Sequence, residues 1–383
     1  MAGICGLVSL SFDVFDGGPV HFVVALVLAL APVPLLLAAL LALDRMEPEP
    51  RANLVFAFVW GAGIAVLIAG VLNSLNLMYV ARQLNDAETA RDIVATFGAP
   101  PVEETLKGLL LVGLLKWRRQ ELDGPTDGII YAGMVGLGFA MSENVSYYVN
   151  ALGDHGVEGL AVTVVLRGVL SPFAHPLFTS MIGIAVAYAA QRRRGRVGVV
   201  MVGWAGAMLL HGLWNGFASY GGFTGLAVAY LILMALFFTE LGVIVRDRRR
   251  IVGLIQHYLP QYARTGLVND TDIFMLSSLQ GRRQARQWAK AYGRQDGLAA
   301  MSDYQLAATE LGLLHERAVR GVIDAHEFYE QQRALLYCMG VTRARFPLPE
   351  WHHAALAKGL PPPGYAPGAP PSPPQTGTYP PRA

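Results

Sequence analysis

Pro100-Pro101-Val102-Glu103-Glu104-Thr105-Leu106-Lys107 runs directly into Gly108-Leu-Leu-Leu-Val-Gly-Leu-Leu115. The apolar part belongs to a segment that reads as membrane-spanning, so two carboxylates and an ammonium entering it are costly there. A functional site is the default reading of such groups. A plainer reading competes: proline suits a first helical turn, and acids at a helix start face the positive end of the helix dipole. Lys107 tips the balance, because at i+4 from Glu103 and i+3 from Glu104 it can reach both, one turn deeper.

The rest of the chain agrees with a membrane reading. Of 383 residues 53% are hydrophobic and 15% charged, and the mean hydropathy is +0.38, with the apolar residues concentrated before Val245. That composition excludes one large soluble core and implies an integral membrane protein with a polar C-terminal appendage. The net charge of +2 carries little information, and no nucleic-acid partner is expected. Cys5 and Cys338 fall at opposite ends and on opposite predicted sides, so no disulfide framework is expected. Lys occurs only at 107, 116, 290 and 358, an Arg-rich usage that hints at a GC-rich bacterial genome.

Seven apolar runs, near 20–43, 53–80, 100–117, 127–150, 160–190, 197–219 and 223–245, reach the roughly 20 residues a helix needs to cross hydrocarbon. The fold class expected is therefore an all-α polytopic membrane protein with about seven transmembrane helices. The first run lacks a basic flank before Arg45, so it reads as a retained span, not a signal peptide. Arg45 and Arg51, then Lys116, Arg118 and Arg119, then Arg192, Arg193, Arg194 and Arg196, then Arg246, Arg248, Arg249 and Arg250 all follow odd-numbered spans. The other side holds only Arg82 and Arg91. By the positive-inside rule the N-terminus lies outside and the C-terminus in the cytoplasm of a bacterial plasma membrane.

Four regions follow: an extracytoplasmic arm at 1–19, a membrane domain at 20–245, a cytoplasmic helical region at 246–346 and a disordered Pro-rich tail at 347–383. Residues 84–97 read as a short surface helix that Gly98 breaks. In the cytoplasmic region Ser302-x-x-Gln305 and Asp324-x-x-Glu327 read as capping boxes, and Gly293, Gly321 and Gly340 as helix stops. That region and the tail are where a cytoplasmic partner would bind.

Other spans carry polar groups as well. Glu143 lies about 24 Å along a helix from Asp127, in the outer part of the membrane, after glycines that allow close helix approach. Asn144 beside it suits interhelical hydrogen bonding. Arg167, Pro172, His175 and Pro176 imply a fifth span broken near the histidine. His211 and Asn215 share one helix face at i and i+4. Four spans thus direct Glu103, Glu104, Glu143, His175 and His211 to the outer half of the membrane.

The constellation Glu103-Glu104-x-x-Lys107, Gly138-Phe139-Ala140-x-x-Glu143-Asn144, Arg167 with His175-Pro176-Leu177-Phe178, and His211-x-x-x-Asn215 resembles the PrsW family of bacterial intramembrane proteases. That family is distantly similar to CAAX-processing and bacteriocin-processing membrane endopeptidases. The motif core spans about 93 to 220. Phe139-x-x-x-Glu143 has Glu where the CAAX-processing pattern has His. The resemblance implies peptide-bond hydrolysis within the bilayer on a single-span membrane substrate, an anti-sigma factor being the kind best known for the family.

Amide hydrolysis needs a held water, a base, oxyanion donors and an acid for the leaving amine. Glu103 or Glu104 can be the base with Lys107 tuning the pair; the similarity to the CAAX-processing enzymes favours Glu103. His175 and His211 can bind or polarise the water, and Asn144 and Asn215 can donate to the oxyanion. Glu143, His175 and His211 also make an acceptable set for a catalytic Zn2+ with one open position, although HExxH is absent. The rival reading is an ion- or proton-coupled transporter using the same buried Glu, Lys and His.

Overall fold

The computed structural model describes residues 2–345, and the Pro-rich tail read at 347–383 lies outside them. Every element among the described residues is helical. The helices are α1 (Ala2–Leu30), α2 (Val33–Leu43), α3 (Arg51–Val59), α4 (Val66–Leu84), α5 (Ala87–Ile93), α6 (Ala99–Trp117), α7 (Pro125–Thr163), α8 (Ala174–Ala190), α9 (Arg196–Tyr220) and α10 (Gly222–Tyr258). Three short helices or helix pairs follow: α11 (Asp270–Leu276), α12 (Leu279–Val319) and α13 (Ala325–Arg343). Trp60–Ala65 joins α3 to α4, Val94–Gly98 joins α5 to α6, and Val164–Leu170 extends α7, each as a π-helical turn.

Five helical stretches are long and apolar enough to cross a membrane, against the seven expected from the apolar runs. Two differences account for the gap. The 66-residue stretch Pro125–Ala190 contains the fourth and fifth expected spans, and α6, the third, falls short in apolarity because of the charges at 103, 104 and 107. Gly156 divides the long stretch with φ 64° and ψ −156°, a conformation that only glycine adopts without strain. Beyond it the chain doubles back, so that a Cβ at Gly128 would strike Gly183, one at Gly136 would strike Pro176, and one at Gly168 would strike Tyr148.

Helix α7 forms the centre of the membrane unit, composed of residues 2–44 and 49–244. From Asp127 to Ala140 every residue is buried, as expected for a helix apolar on all sides. Leu54 and Ala57 from α3, Leu110 and Leu111 from α6, and Ile182 and Val186 from α8 close around it. Large apolar side chains are left outward on the peripheral helices, among them Leu35, Val202 and Phe238. An apolar exterior of this kind is what a bilayer covers.

Several local expectations change. The region read as an arm, for which the sequence set no secondary structure, is helical from Ala2, and Gly63 packs so closely that a Cβ there would meet the Ala2 carbonyl. Gly98 does not break the chain; it ends the π-helical turn that carries α5 into α6. Glu103 and Glu104 therefore lie outside the first turn of α6, and the helix-start explanation for them falls away. Ser302 is interior to α12 and returns its hydroxyl to the Leu298 carbonyl at 2.9 Å, so it caps nothing. Gly340 is likewise interior to α13. Asp324 does cap α13, accepting from the Glu327 amide at 2.8 Å, and Gly321 at φ 63° follows the end of α12.

Among the described residues, the second unit comprises Arg45–Pro48 with residues 245–345. Its core joins Ile255, Leu259, Tyr262, Tyr304, Leu311 and Phe328. Arg282, 2% exposed, spends its guanidinium on the carbonyls of Met46 and Leu276 and on Thr309 Oγ1, at 2.7 to 2.9 Å, which satisfies a buried charge with fixed dipoles.

Two buried acids of the membrane unit, between α2 and α3, are expected to make its stability pH-dependent. Asp44 ends α2 and accepts from the Glu49 amide at 2.8 Å, and burial pushes its carboxyl up to about 7. Glu49 is pushed up to about 10, first by burial and next by the charge of Asp127. Both folded values exceed the unfolded ones, so the stability they contribute is full below about pH 4 and is lost as pH rises through 7 for Asp44 and through 10 for Glu49. Asp44→Asn, which can still accept the Glu49 amide, is expected to raise stability by about 4 kcal/mol at pH 8. Unfolding of purified protein at pH 8 and pH 4 checks this, the gain vanishing at pH 4.

Candidate active site

Helices α6, α7, α8 and α9 converge on one buried cluster. Glu104 and Lys107 have no exposure, and Glu103, His175 and His211 retain 8% or less. The Lys107 ammonium spans the pair: it donates to Glu104 Oε1 at 2.8 Å and to Glu103 Oε2 at 3.4 Å, stands 3.0 Å from His175 Nδ1 and lies over the Phe139 ring. Gly136 makes room for this, because a Cβ there would collide with the His175–Pro176 backbone at the start of α8. The break expected near the histidine lies between Leu170 and Ala174, and His175 enters the cluster from the first turn after it.

Each imidazole has a carboxylate on one nitrogen. His211 Nδ1 is 2.9 Å from Glu104 Oε1, and His175 Nε2 is 2.9 Å from Glu143 Oε2. Such pairs fix the tautomer and ring plane of a histidine and raise its basicity at the other nitrogen. The rings stand edge to face with centroids 5.1 Å apart, and Phe178 stacks on His211. Glu143 is also bound by Arg167, whose Nε donates to Asn144 Oδ1 at 2.8 Å and whose guanidinium covers the Tyr147 ring.

Glu103, Glu143, Asn144, His175, His211 and Asn215 line a common cavity of about 510 Å3. Glu104 and Lys107 stand behind that wall. Of the eight residues expected from the sequence, the structure thus brings six to the cavity and places two as their support. Asn215 already donates to the Ala95 carbonyl at 2.8 Å, so one of its two N–H groups ties α9 to the turn before α6.

The metal-donor grouping differs from the one read in the sequence. Glu103, His175 and His211 offer ligand atoms that all lie within 4.8 Å of one another, whereas Glu143 is engaged by Arg167 and His175. A carboxylate and two imidazoles suit a borderline divalent ion such as zinc. With all groups ionised and the imidazoles neutral, Glu103, Glu104 and Glu143 against Lys107 and Arg167 leave one uncompensated negative charge, which also favours a cation. One adjustment is required: His175 can donate from Nδ1 only if Lys107 releases it.

Two contributors, Asn73 and Thr179, and one buried acid outside the cavity, Glu240, escaped the sequence reading. Asn73 on α4 donates to Glu103 Oε1 at 3.2 Å, and Thr179 on α8 donates to Glu104 Oε2 at 2.9 Å. Glu240 on α10, 5% exposed, accepts a hydrogen bond from Ser180. Each is a polar residue inside an apolar run, and Thr179 also follows His175 at i+4; those were the available signals.

Comparison with known proteins places the chain among relatives. Residues 49–241, half of the chain, match the family described as PrsW family intramembrane metalloprotease. A protein named Protease PrsW from Geobacillus kaustophilus is 30% identical over 199 residues, covering 48% of this chain and 75% of that protein. A second Protease PrsW, from Oceanobacillus iheyensis, is 27% identical over 177 residues, covering 45% of this chain and 77% of that one. No solved structure matches the chain significantly.

Proposed function

The chain belongs to the PrsW family of intramembrane proteases, and from that premise we propose that it cleaves a peptide bond in or near the membrane segment of a single-span protein, by water that Glu103 activates beside His175 and His211. The observation that carries this reading is the convergence of one carboxylate and two imidazoles, each imidazole oriented by its own carboxylate, on a single cavity.

In this proposal Glu103 Oε1, which accepts from Asn73, takes a proton from water as its oxygen attacks the scissile carbonyl carbon. The carbonyl oxygen gains the charge, and Asn144 and the second N–H of Asn215 are candidate donors to it on the cavity wall. As the C–N bond breaks, Glu103 returns the proton to the departing amine. Glu104 holds His211, Glu143 holds His175, Arg167 holds Glu143, and Lys107 keeps the two α6 carboxylates from repelling each other. Glu103 Oε2, His175 and His211 are the groups that would hold a divalent ion, Zn2+ by ligand type, which when bound polarises the carbonyl and makes water more acidic.

Purified protein is expected to carry about one equivalent of zinc per chain, and His175→Ala with His211→Ala to carry less than a tenth of it, by elemental analysis. Full cleavage activity in metal-free protein would remove the ion from the account while leaving Glu103 in place. The orientation supported by the basic loops puts the cavity toward the outer face, so the cut falls toward the outer end of the substrate's span. Regulatory proteins of the anti-sigma type are the substrate class this reading favours.

A further inference from the structure

Two apolar grooves flank α9 on the membrane unit. The larger, about 750 Å3, lies between the start of α6 and α9 and is lined by Phe97, Pro101, Met208 and Leu213 among others. It shares no lining residue with the polar cavity. The smaller, about 640 Å3, lies between the π-helical turn after α7, the end of α9 and the start of α10. Its wall includes Leu166, Leu170, Ala218, Leu226 and Tyr230.

The smaller groove runs into the catalytic cavity. Tyr147, Arg167, Ser171, Trp214 and Asn215 line both, so the apolar trough ends at the guanidinium that holds Glu143. Phe223 and Leu231 stand largely exposed at its outer rim. Across it, the Tyr230 hydroxyl donates to the Leu170 carbonyl, which lies at a helix end where carbonyls lack intrahelical partners. An apolar segment lying in this groove would enter the cavity with its next residues beside Glu143 and His175.

We propose that this groove, and not the larger one, receives the apolar transmembrane segment of the substrate and delivers its scissile bond to the cavity. The proposal rests on the proteolytic reading and adds the route and the chemistry of the occupant: an aliphatic stretch adjoining the cleaved bond. The shared wall decides between the grooves, because a groove that does not communicate with the cavity cannot present a bond to Glu103.

The test uses the full chain in lipid nanodiscs. In the Glu103→Gln form, a photoreactive phenylalanine analogue at Leu226 is expected to crosslink a single-span test substrate, and the same analogue at Met208 is not. Ala218→Trp, which narrows the groove, is expected to lower kcat/KM for that substrate at least tenfold, chiefly through KM, while Met208→Trp changes it less than twofold. Crosslinking from 208 alone, crosslinking from 226 to phospholipid only, or unaltered kinetics in Ala218→Trp overturns the proposal. The crosslink needs no turnover, so a wild-type protein that captures substrate at 226 without cleaving it would sink the proteolytic reading and spare the groove.

Discussion

Glu103→Gln is expected to lower substrate cleavage by about a thousandfold or more, since general-base catalysis contributes roughly 10² to 10⁴ and this carboxylate also belongs to the donor set around the water. Folding should survive. The amide oxygen can accept from Lys107 in place of Oε2, and Asn73 can turn its own unpartnered carbonyl oxygen toward the new N–H, so thermal unfolding should stay close to the wild type. Glu104→Gln is expected to behave differently. It disturbs Lys107, Thr179 and the orientation of His211 and leaves Glu103 on the cavity wall, so its loss should fall in the 10- to 100-fold range typical of supporting groups. Turnover of a fluorogenic single-span substrate measures both, and the reverse ranking would make Glu104 the base.

Lys107→Met is expected to be the most destabilising substitution in the membrane unit, at about 3 to 5 kcal/mol, the usual cost of removing one partner from a buried ion pair. The magnitude follows from burial. Neither Lys107 nor Glu104 has any exposure, so water cannot take over the abandoned carboxylate. A surface pair of similar geometry contributes at most about 1 kcal/mol. Lys107→Met with Glu104→Gln should recover most of the stability, because the fully buried Glu104 charge is then gone and Glu103 keeps Asn73 and the cavity, while activity stays low through the loosened His211. Unfolding in mixed detergent micelles reads the stability. Additive losses in the double variant would show that the two residues act independently.

How much of this was legible in the sequence differs between levels. The helical, membrane-embedded class followed from runs of apolar residues, which report the solvent of each segment directly. The gathering of Glu103, Glu104, Lys107, Glu143, His175 and His211 was legible because each is expensive in hydrocarbon and needs an explanation. Their wiring was not. Whether Glu103 or Glu143 stands beside both imidazoles depends on Arg167, which draws Glu143 away, and on the rotation that α6 inherits from the π-helical turn before it. A π-helical turn leaves almost no mark in a sequence, so Gly98 read as a stop and the two acids read as helix-start residues. Ser302 and Gly340 misled for the opposite reason: their local preference for caps and ends is worth about 1 kcal/mol, less than the packing that carries α12 and α13 through them.

The two carboxylate–imidazole pairs refine what the family relationship implies. They assign support to Glu104 and Glu143 and leave Glu103 as the carboxylate on the cavity wall that neither orients a histidine at short range nor pairs with Arg167. The proposed mechanism therefore turns on Glu103.

The most direct measurement is sequencing of the new termini made from a single-span test substrate in proteoliposomes holding wild-type protein or the Glu103→Gln form. The account predicts one cut in the outer part of the substrate's span with wild type and none with the variant. Cuts of equal yield with both proteins, or ion flux through the vesicles without any cut, would contradict it.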